Sequence, residues 1–225
     1  MRAMILAAGY GKRLRPLTEK TPKALLPVKG SPLIEHHVKR LMAAGFGPLI
    51  INLGHLGDQI EAYLGDGRRY GTEILYSREN PPLEVGGGIV KALPLLCEKG
   101  DDPFLVVSGD LYTDFPFETL KKTPQSLAHL VFVKNPTWHV AGDFCLDADN
   151  IVVCPEQQNK QPALATLTFA SLGIYRPALF ANAPSGQFKL FPWMRETIEN
   201  REVTGEVFDG LWYNVGTIDE LKSLS

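Results

Sequence analysis

The chain has 225 residues, of which 44% are hydrophobic and 21% charged, and its formal net charge is −2. This composition is typical of a globular protein outside the membrane, and the balanced charge does not favour a general binder of nucleic acid or of an anionic membrane. No apolar run approaches the about 18 residues of a membrane span, and the three cysteines are an odd number without metal-ligand spacing, which makes a disulfide framework improbable. We therefore expect a cytoplasmic protein.

The first part of the chain alternates predicted strands and helices. An apolar strand is predicted at 1–8, and residues 32–44 have helical spacing with Ser31 as a plausible N-cap. Further strands are predicted at 48–53, 72–76 and 104–107, and further helices at 57–64 and 87–98. Strands separated by helices predict a parallel sheet that binds ligands beyond the carboxyl ends of its strands.

The pattern changes after about residue 117. Strands are predicted at 127–133, 142–153 and 164–175 with few helices between them, which indicates a more antiparallel, substrate-covering half. A helix is predicted at 191–200, and two strand segments are predicted within 206–215 around the turn dipeptide Asp209-Gly210. We expect one globular unit with two lobes.

A basic, glycine-containing loop follows the first strand at 7–28, AAGYGKRLRPLTEKTPKALLPV. Its three prolines make a long helix there unfavourable. Glycines let backbone N–H groups approach phosphate oxygens, an arginine can bind a triphosphate through paired hydrogen bonds, and a lysine supplies a mobile charge. The third glycine of a dinucleotide-binding fingerprint would fall at Leu14 and no Walker A motif is present, so a different phosphate loop is predicted.

This loop, the tripeptide SGD at 108–110 and WYNVGT at 212–217 resemble the signatures of the sugar-1-phosphate nucleotidylyltransferases. Other runs that carry the resemblance are INLGHLGDQI, PLEVGGGI, NPTWHVAGDF, TLTF and FKL. The resemblance implies a Rossmann-like three-layer α/β nucleotidyltransferase fold with a mostly parallel central sheet and a small β-rich sugar-binding lobe. One domain would span 1–225, with a nucleotide-binding half at about 1–116 and a sugar-binding half at about 117–225.

The chemistry implied by the resemblance is attack of a sugar-1-phosphate oxygen on the α-phosphorus of a nucleoside triphosphate, with release of pyrophosphate. Likeness to family members of bacterial cell-wall recycling implies UTP and N-acetylmuramate 1-phosphate as substrates, Mg²⁺ as cofactor, and a monomer or small homo-oligomer. Two alternatives stay open. One is a guanylyl- or uridylyltransferase for mannose or glucose 1-phosphate, and the other is a non-catalytic nucleotide-sugar sensor.

The resemblance also assigns residues to each part of the site. The implied catalytic residues are Arg13, Lys23 and Asp110. The implied nucleotide-binding residues are Ala8, Gly9, Gly11, Lys12, Arg13, Lys23, Glu84 and Gly87. The implied sugar-phosphate residues are Gly142, Asp143, Thr168 and Lys189, and the implied metal ligands are Asp110 and Asn214.

Two of these positions leave the chemistry open. The family run is WxDVGT-like, whereas this chain has Asn214 in place of the aspartate, so an amide oxygen without negative charge would replace a carboxylate. Glu84 could accept one hydrogen bond from uracil or two from guanine. Its hydrogen-bonding capacity therefore fits guanine at least as well, and only the resemblance favours uridine.

Overall fold

The computed structural model describes residues 1–97, 100–122, 126–158 and 164–224. Within these ranges the strands are β1 (Ala3–Leu6), β2 (Pro27–Val28), β3 (Ser31–Pro32), β4 (Leu49–Leu53), β5 (Ile74–Arg78), β6 (Phe104–Ser108), β7 (Leu111–Thr113), β8 (Ala128–Val133), β9 (Phe144–Leu146), β10 (Val152–Val153), β11 (Thr166–Tyr175), β12 (Val203–Val207) and β13 (Trp212–Asn214). The α-helices are α1 (Leu33–Ala43), α2 (Gly57–Leu64), α3 (Glu84–Leu96), α4 (Leu190–Glu199) and α5 (Ile218–Ser223).

The central sheet has the strand order β5-β4-β1-β6-β11-β8-β12. The first four of these strands are parallel, whereas β11 runs antiparallel to both β6 and β8. The amino-terminal end of β11 also pairs with β9, which pairs with β10. The prediction of a mostly parallel sheet with antiparallel strands in the second half is therefore confirmed.

Side chains of the parallel strands are buried on both faces of the sheet. Ala3 and Ile5 of β1 pack into one core with α1 and α2, while Met4 between them packs into a second core with α3 and α4. This alternation follows from the two-residue period of a strand, and burial of both faces is typical of parallel sheets with helical connections. The result is the predicted three-layer arrangement.

Two helix boundaries differ from the sequence prediction. Pro32 rather than Ser31 is the N-cap of α1, and no side chain caps that end, because proline has no side-chain acceptor. The helix α3 begins at Glu84 and continues past Pro94 to Leu96, whose side chain is buried. The predicted end of that helix at Glu98 lies outside the described residues.

The two strand segments around Asp209-Gly210 are present, but they do not pair with each other. β12 pairs in parallel with β8, and β13 pairs antiparallel with β7. The chain between them therefore crosses from the central sheet to a separate two-stranded ribbon that follows β6. In the described ranges, no helix is both long and apolar enough to cross a bilayer.

Candidate active site

A cleft of about 540 Å³, here called the main cleft, lies at the carboxyl ends of the parallel strands. Its walls come from the segments that follow β1, β5 and β6 and from Asn52 at the end of β4, and they include Gly9, Lys12, Lys23, Glu84 and Asp110. Ligands of open α/β sheets bind at this edge. The basic loop and Asp110, predicted at strand ends, thus meet in one cleft.

The basic loop folds into short turns rather than a long helix, as predicted. Its 3₁₀ turns lie at Lys12–Leu14, Leu17–Glu19 and Lys23–Leu25. Gly11 has a φ of +61°, and a Cβ there would come within 2.8 Å of the Thr18 side chain. Thr18 is buried and donates its hydroxyl to the Gly11 carbonyl at 2.8 Å. The loop therefore closes on itself through these two residues.

Two buried residues that the sequence analysis did not single out hold the loop against the sheet. Asn52 accepts a hydrogen bond from the Ala7 N–H at 2.6 Å and donates to Glu79 at 2.7 Å. The second carboxylate oxygen of Glu79 accepts from the Leu83 N–H at 2.8 Å. This network connects the segment after β1 to the segment before α3. The sequence signal that could have identified Asn52 is its position as the one polar residue in the apolar strand β4.

Asp110 directly follows β6 and forms an ion pair with Lys23. The Lys23 Nζ lies 2.5 Å from one carboxylate oxygen, and the Ser108 hydroxyl donates to the other at 2.7 Å. Burial by itself raises the pKa of such a carboxyl, but the Lys23 charge and the two hydrogen bonds outweigh it, so the pKa of Asp110 lies below its ordinary value. Asp110 is therefore an anion at neutral pH.

Asn214 is brought next to Asp110 by the ribbon of β7 and β13. It pairs with Leu111, and the following residue, Val215, donates its N–H to the Asp110 carbonyl at 2.9 Å. The Asn214 Oδ1 atom is buried and has no hydrogen-bond partner among the described residues. Leaving such an acceptor unpaired costs about 1–3 kcal/mol, so this oxygen is suited to an incoming ligand.

The oxygens of Asp110 and Asn214 fit a hard divalent cation, which prefers carboxylate and amide oxygens and retains several waters. No group of three or more His, Cys, Asp or Glu side chains with metal-binding potential occurs in the part of the chain described. Asp110 lines the main cleft and Asn214 does not, so their joint role as metal ligands stays a prediction.

Arg13 lies beside the main cleft rather than in its wall. Its exposed guanidinium packs against Gly216, where a Cβ would come within 2.9 Å of a guanidinium nitrogen. The segment after Gly216 is held by a capping box in which Thr217 and Glu220 satisfy each other's backbone N–H groups. Lys12 and Lys23 line the cleft directly, and the catalytic role of Arg13 stays a prediction.

The glycines at the start of α3 make room for a distant segment of the chain. A Cβ on Gly86 would overlap the Phe188 ring, and one on Gly87 would overlap the Gly186 carbonyl. The Phe188 carbonyl accepts hydrogen bonds from the N–H groups of Gly86 and Gly87 at 3.1 and 3.3 Å. Glu84 lines the main cleft, whereas Gly87 is buried outside that lining. The nucleotide contact of Gly87 therefore stays a prediction.

A second cavity of about 310 Å³ adjoins the main cleft, and the two share Glu84 and Ser108 in their walls. The second cavity is lined mainly by apolar side chains of β11 and of the start of α4, and Lys189 is the one cationic side chain among its described lining residues. Ser171, which the sequence analysis missed, also lines it. Its φ of +58° belongs to a bulge in β11 between Phe169 and Gly173.

Of the other three residues predicted for the sugar, Thr168 lies in β11, and Gly142 and Asp143 lie against that strand; all three are outside the lining of both cavities. Thr168 is buried and donates to Asn135 Oδ1 at 2.8 Å. Asp143 accepts from a backbone N–H of β11 at 2.8 Å and contacts a ring nitrogen of His139 at 3.0 Å. Gly142 packs on the Asn135 side chain. These residues hold the 135–143 loop, and their contact with a sugar stays a prediction.

The fold and this cleft define an α/β protein with a carboxylate at a strand end beside a basic, glycine-containing loop, the arrangement of an enzyme that acts on phosphates. The family model for nucleotidyl transferases matches residues 2–225, and the chain belongs to this family.

Two relatives and one solved structure are similar to this chain over nearly its whole length. The chain is 48% identical to the N-acetylmuramate alpha-1-phosphate uridylyltransferase of Neisseria meningitidis, over 99% of this chain and 96% of that protein. A protein of the same name from Caulobacter vibrioides is 32% identical over 95% and 91% of the two chains. A solved structure from Bacillus anthracis, a suggested glucose-1-phosphate thymidylyltransferase, has a TM-score of 0.82 at 22% identity, covering 100% of this chain and 93% of that one. The predicted family and fold are confirmed.

Proposed function

We propose that the protein transfers UMP from UTP to N-acetylmuramate 1-phosphate, giving UDP-N-acetylmuramate and pyrophosphate, a reaction of peptidoglycan recycling. The observation that carries the chemistry is the Lys23–Asp110 ion pair in the same cleft as the glycine-containing loop. The near full-length likeness to the Neisseria protein supports the choice of substrates.

In this proposal the triphosphate lies along the loop after β1. The backbone N–H groups of Ala8, Gly9 and Gly11 bind phosphate oxygens, and Gly9 leaves open space where a side chain would otherwise stand. Lys12 adds a positive charge to the same wall of the cleft. Arg13, exposed beside Gly216, binds the leaving pyrophosphate through its planar guanidinium.

The two substrates meet where the main cleft and the second cavity join, next to Asp110. An oxygen of the sugar phosphate forms a bond to the α-phosphorus, and the bond between that phosphorus and the oxygen of the β-phosphate breaks. No covalent enzyme intermediate is needed, so the protein contributes positioning and charge stabilisation. Lys23 follows the transferring phosphoryl group, because its flexible side chain reaches this junction and its ammonium is a compact charge.

Asp110 and Asn214 hold Mg²⁺ in this proposal. A cation held there would supply charge neutralisation for the phosphates. Because Asn214 carries no charge, this pair supplies one negative charge fewer than two aspartates, and the nucleotide phosphates supply more of the coordination. Lys23 contacts the same Asp110 carboxylate that would hold the cation, so its ammonium lies beside the position proposed for the phosphates.

The sugar occupies the second cavity. Lys189, its one described cationic lining residue, pairs with the acidic lactyl group that distinguishes N-acetylmuramate from N-acetylglucosamine. Gly142, Asp143 and Thr168 support the 135–143 loop against β11, the strand whose Phe169 and Ser171 line this cavity. Glu84 faces the nucleotide from the shared wall.

Pyrophosphate release with Mg²⁺ tests the proposal across a grid of substrates. UTP, GTP, CTP and dTTP are each combined with the 1-phosphates of N-acetylmuramate, N-acetylglucosamine, glucose and mannose. We expect a strong signal confined to UTP with N-acetylmuramate 1-phosphate. A signal with another pair would retain the mechanism and reject the substrates. If no pair of substrates releases pyrophosphate but the protein binds a nucleotide sugar tightly, the result would instead support a non-catalytic sensor.

A further inference from the structure

Gln187 stands apart from the other residues of the main cleft. It is the one lining residue, among those described, that lies beyond Asp110 in the chain. Its neighbours contact the start of α3, since Gly186 packs on Gly87 and the Phe188 ring lies on Gly86. Gln187 therefore lines the cleft from the second half of the protein, and its chain neighbours pack on the first turn of α3, where Glu84 lies.

The backbone on the carboxyl side of Gln187 is firmly held. The Phe188 N–H donates to the Leu83 carbonyl at 3.2 Å, and the Phe188 carbonyl accepts from two N–H groups of α3 at 3.1 and 3.3 Å. These bonds occupy the N–H groups of Gly86 and Gly87, two of the amino-terminal donors of α3. The consequence is a defined position for the Cα of Gln187 relative to Glu84.

The Gln187 amide is free to bind a ligand. Its side chain is exposed, and no hydrogen bond to it occurs among the described residues. The other side-chain amide of the main cleft, Asn52, is buried and already bonded to Ala7 and Glu79. Glu84, which also lines the main cleft, is exposed. Its φ of +61° is a backbone conformation that few non-glycine residues adopt and that is often found at functional sites.

Glu84 and Gln187 have complementary hydrogen-bonding capacity. An ionised carboxylate only accepts, whereas an amide also donates. Uracil presents a ring N–H beside a carbonyl oxygen, so it offers one donor and one acceptor on the same edge. Cytosine replaces that pair with an unprotonated ring nitrogen and an amino group. A carboxylate and an amide donor together therefore match uracil and mismatch cytosine.

We propose that Gln187 is a base-specificity residue, donating its side-chain N–H to a uracil carbonyl while the adjacent ring N–H of the base donates to Glu84. The inference rests on the proposed uridylyl transfer and names a further residue for its nucleotide subsite. A residue of the second half of the chain thereby takes part in choosing the nucleotide.

The test is calorimetric titration of UTP and CTP, without a sugar phosphate, into the wild type, Gln187→Glu and Gln187→Ala. Glutamate keeps the size of the side chain but replaces the donor with an acceptor that faces the uracil carbonyl. We expect Gln187→Glu to weaken UTP binding about tenfold and to change CTP binding far less, because the cytosine amino group gains an acceptor. Gln187→Ala should weaken UTP binding by a smaller factor.

Asn182→Asp is the matched control, since it makes the same amide-to-carboxylate change at an exposed residue outside the lining of the cleft. It should leave both affinities unchanged. Equal losses for UTP and CTP in Gln187→Glu, or a UTP-to-CTP ratio within twofold of the wild type, would overturn the inference. A wild type that binds the two nucleotides equally would also overturn it. Pyrophosphate release by the wild type decides the proposed function separately.

Discussion

Replacement of Lys23 by alanine separates catalysis from folding in this site. Lys23 and Asp110 lie 2.5 Å apart, and their side chains are 16% and 24% exposed. Removing one partner of a fully buried pair costs about 3–5 kcal/mol. Asp110 keeps its hydrogen bond from Ser108 and part of its contact with water, so we expect a smaller loss of about 1–2 kcal/mol.

That loss leaves a folded protein. A domain of this size loses about 2–4 °C of melting temperature per kcal/mol, so Lys23→Ala should melt about 2–8 °C below the wild type. Turnover should fall far more, by about 10²–10³, because the alanine cannot stabilise the charge on the transferring phosphoryl group. A small loss of melting temperature together with a large loss of turnover would identify Lys23 as a catalytic residue.

The assays are pyrophosphate release at saturating substrates and thermal melting followed by circular dichroism. Lys39→Ala serves as the control, because Lys39 is an exposed lysine whose ion pair with Glu35 lies on the surface of α1; such pairs contribute only about 0.3–0.5 kcal/mol. A Lys23→Ala enzyme with turnover within threefold of the wild type would refute the reasoning. So would a variant without a cooperative melting transition, because the ion pair would then be required for folding.

Three further predictions follow from the same site. Folding lowers the pKa of Asp110 from 3.8, because the burial that raises it is outweighed, mainly by the charge of Lys23. Ionisation of Asp110 therefore stabilises the protein above pH 3.8, and this stability is lost as the pH falls through the folded-state pKa. The melting temperature of Lys23→Ala should consequently fall less on acidification than that of the wild type. Asn214→Asp should lower the Mg²⁺ concentration for half-maximal pyrophosphate release severalfold, and an unchanged value would place Asn214 outside the metal site. Gly87→Ala should cost about 1–3 kcal/mol of stability and raise the nucleotide KM, because its Cβ overlaps the Gly186 carbonyl; a wild-type melting temperature would contradict this packing.

The parts of the site that follow strands could be predicted from sequence. Alternating apolar runs indicate a parallel sheet, and a parallel sheet brings its strand ends to one edge. Residues 87 positions apart, Lys23 and Asp110, therefore meet in one ion pair. The resemblance to a known family added their roles, whereas their proximity follows from the fold itself.

Contacts between distant segments could not be predicted in the same way. The glycines of α3 indicate a position without room for a side chain, but nothing in their local pattern identifies Phe188 as the neighbour. Asn135 likewise carries no periodic signal, although it bonds to both Thr166 and Thr168 of β11. Close packing of this kind depends on the three-dimensional approach of two segments, and a single sequence does not contain that information.

The segment at 186–189 shows why the two halves of this chain act as one site. Gln187 lines the main cleft, and Lys189, two residues later, lines the second cavity. Phe188 between them is bonded through its backbone to α3 in the first half. A displacement of this segment would therefore move both side chains together. The glycines of α3 thus link the main cleft to the second cavity through packing.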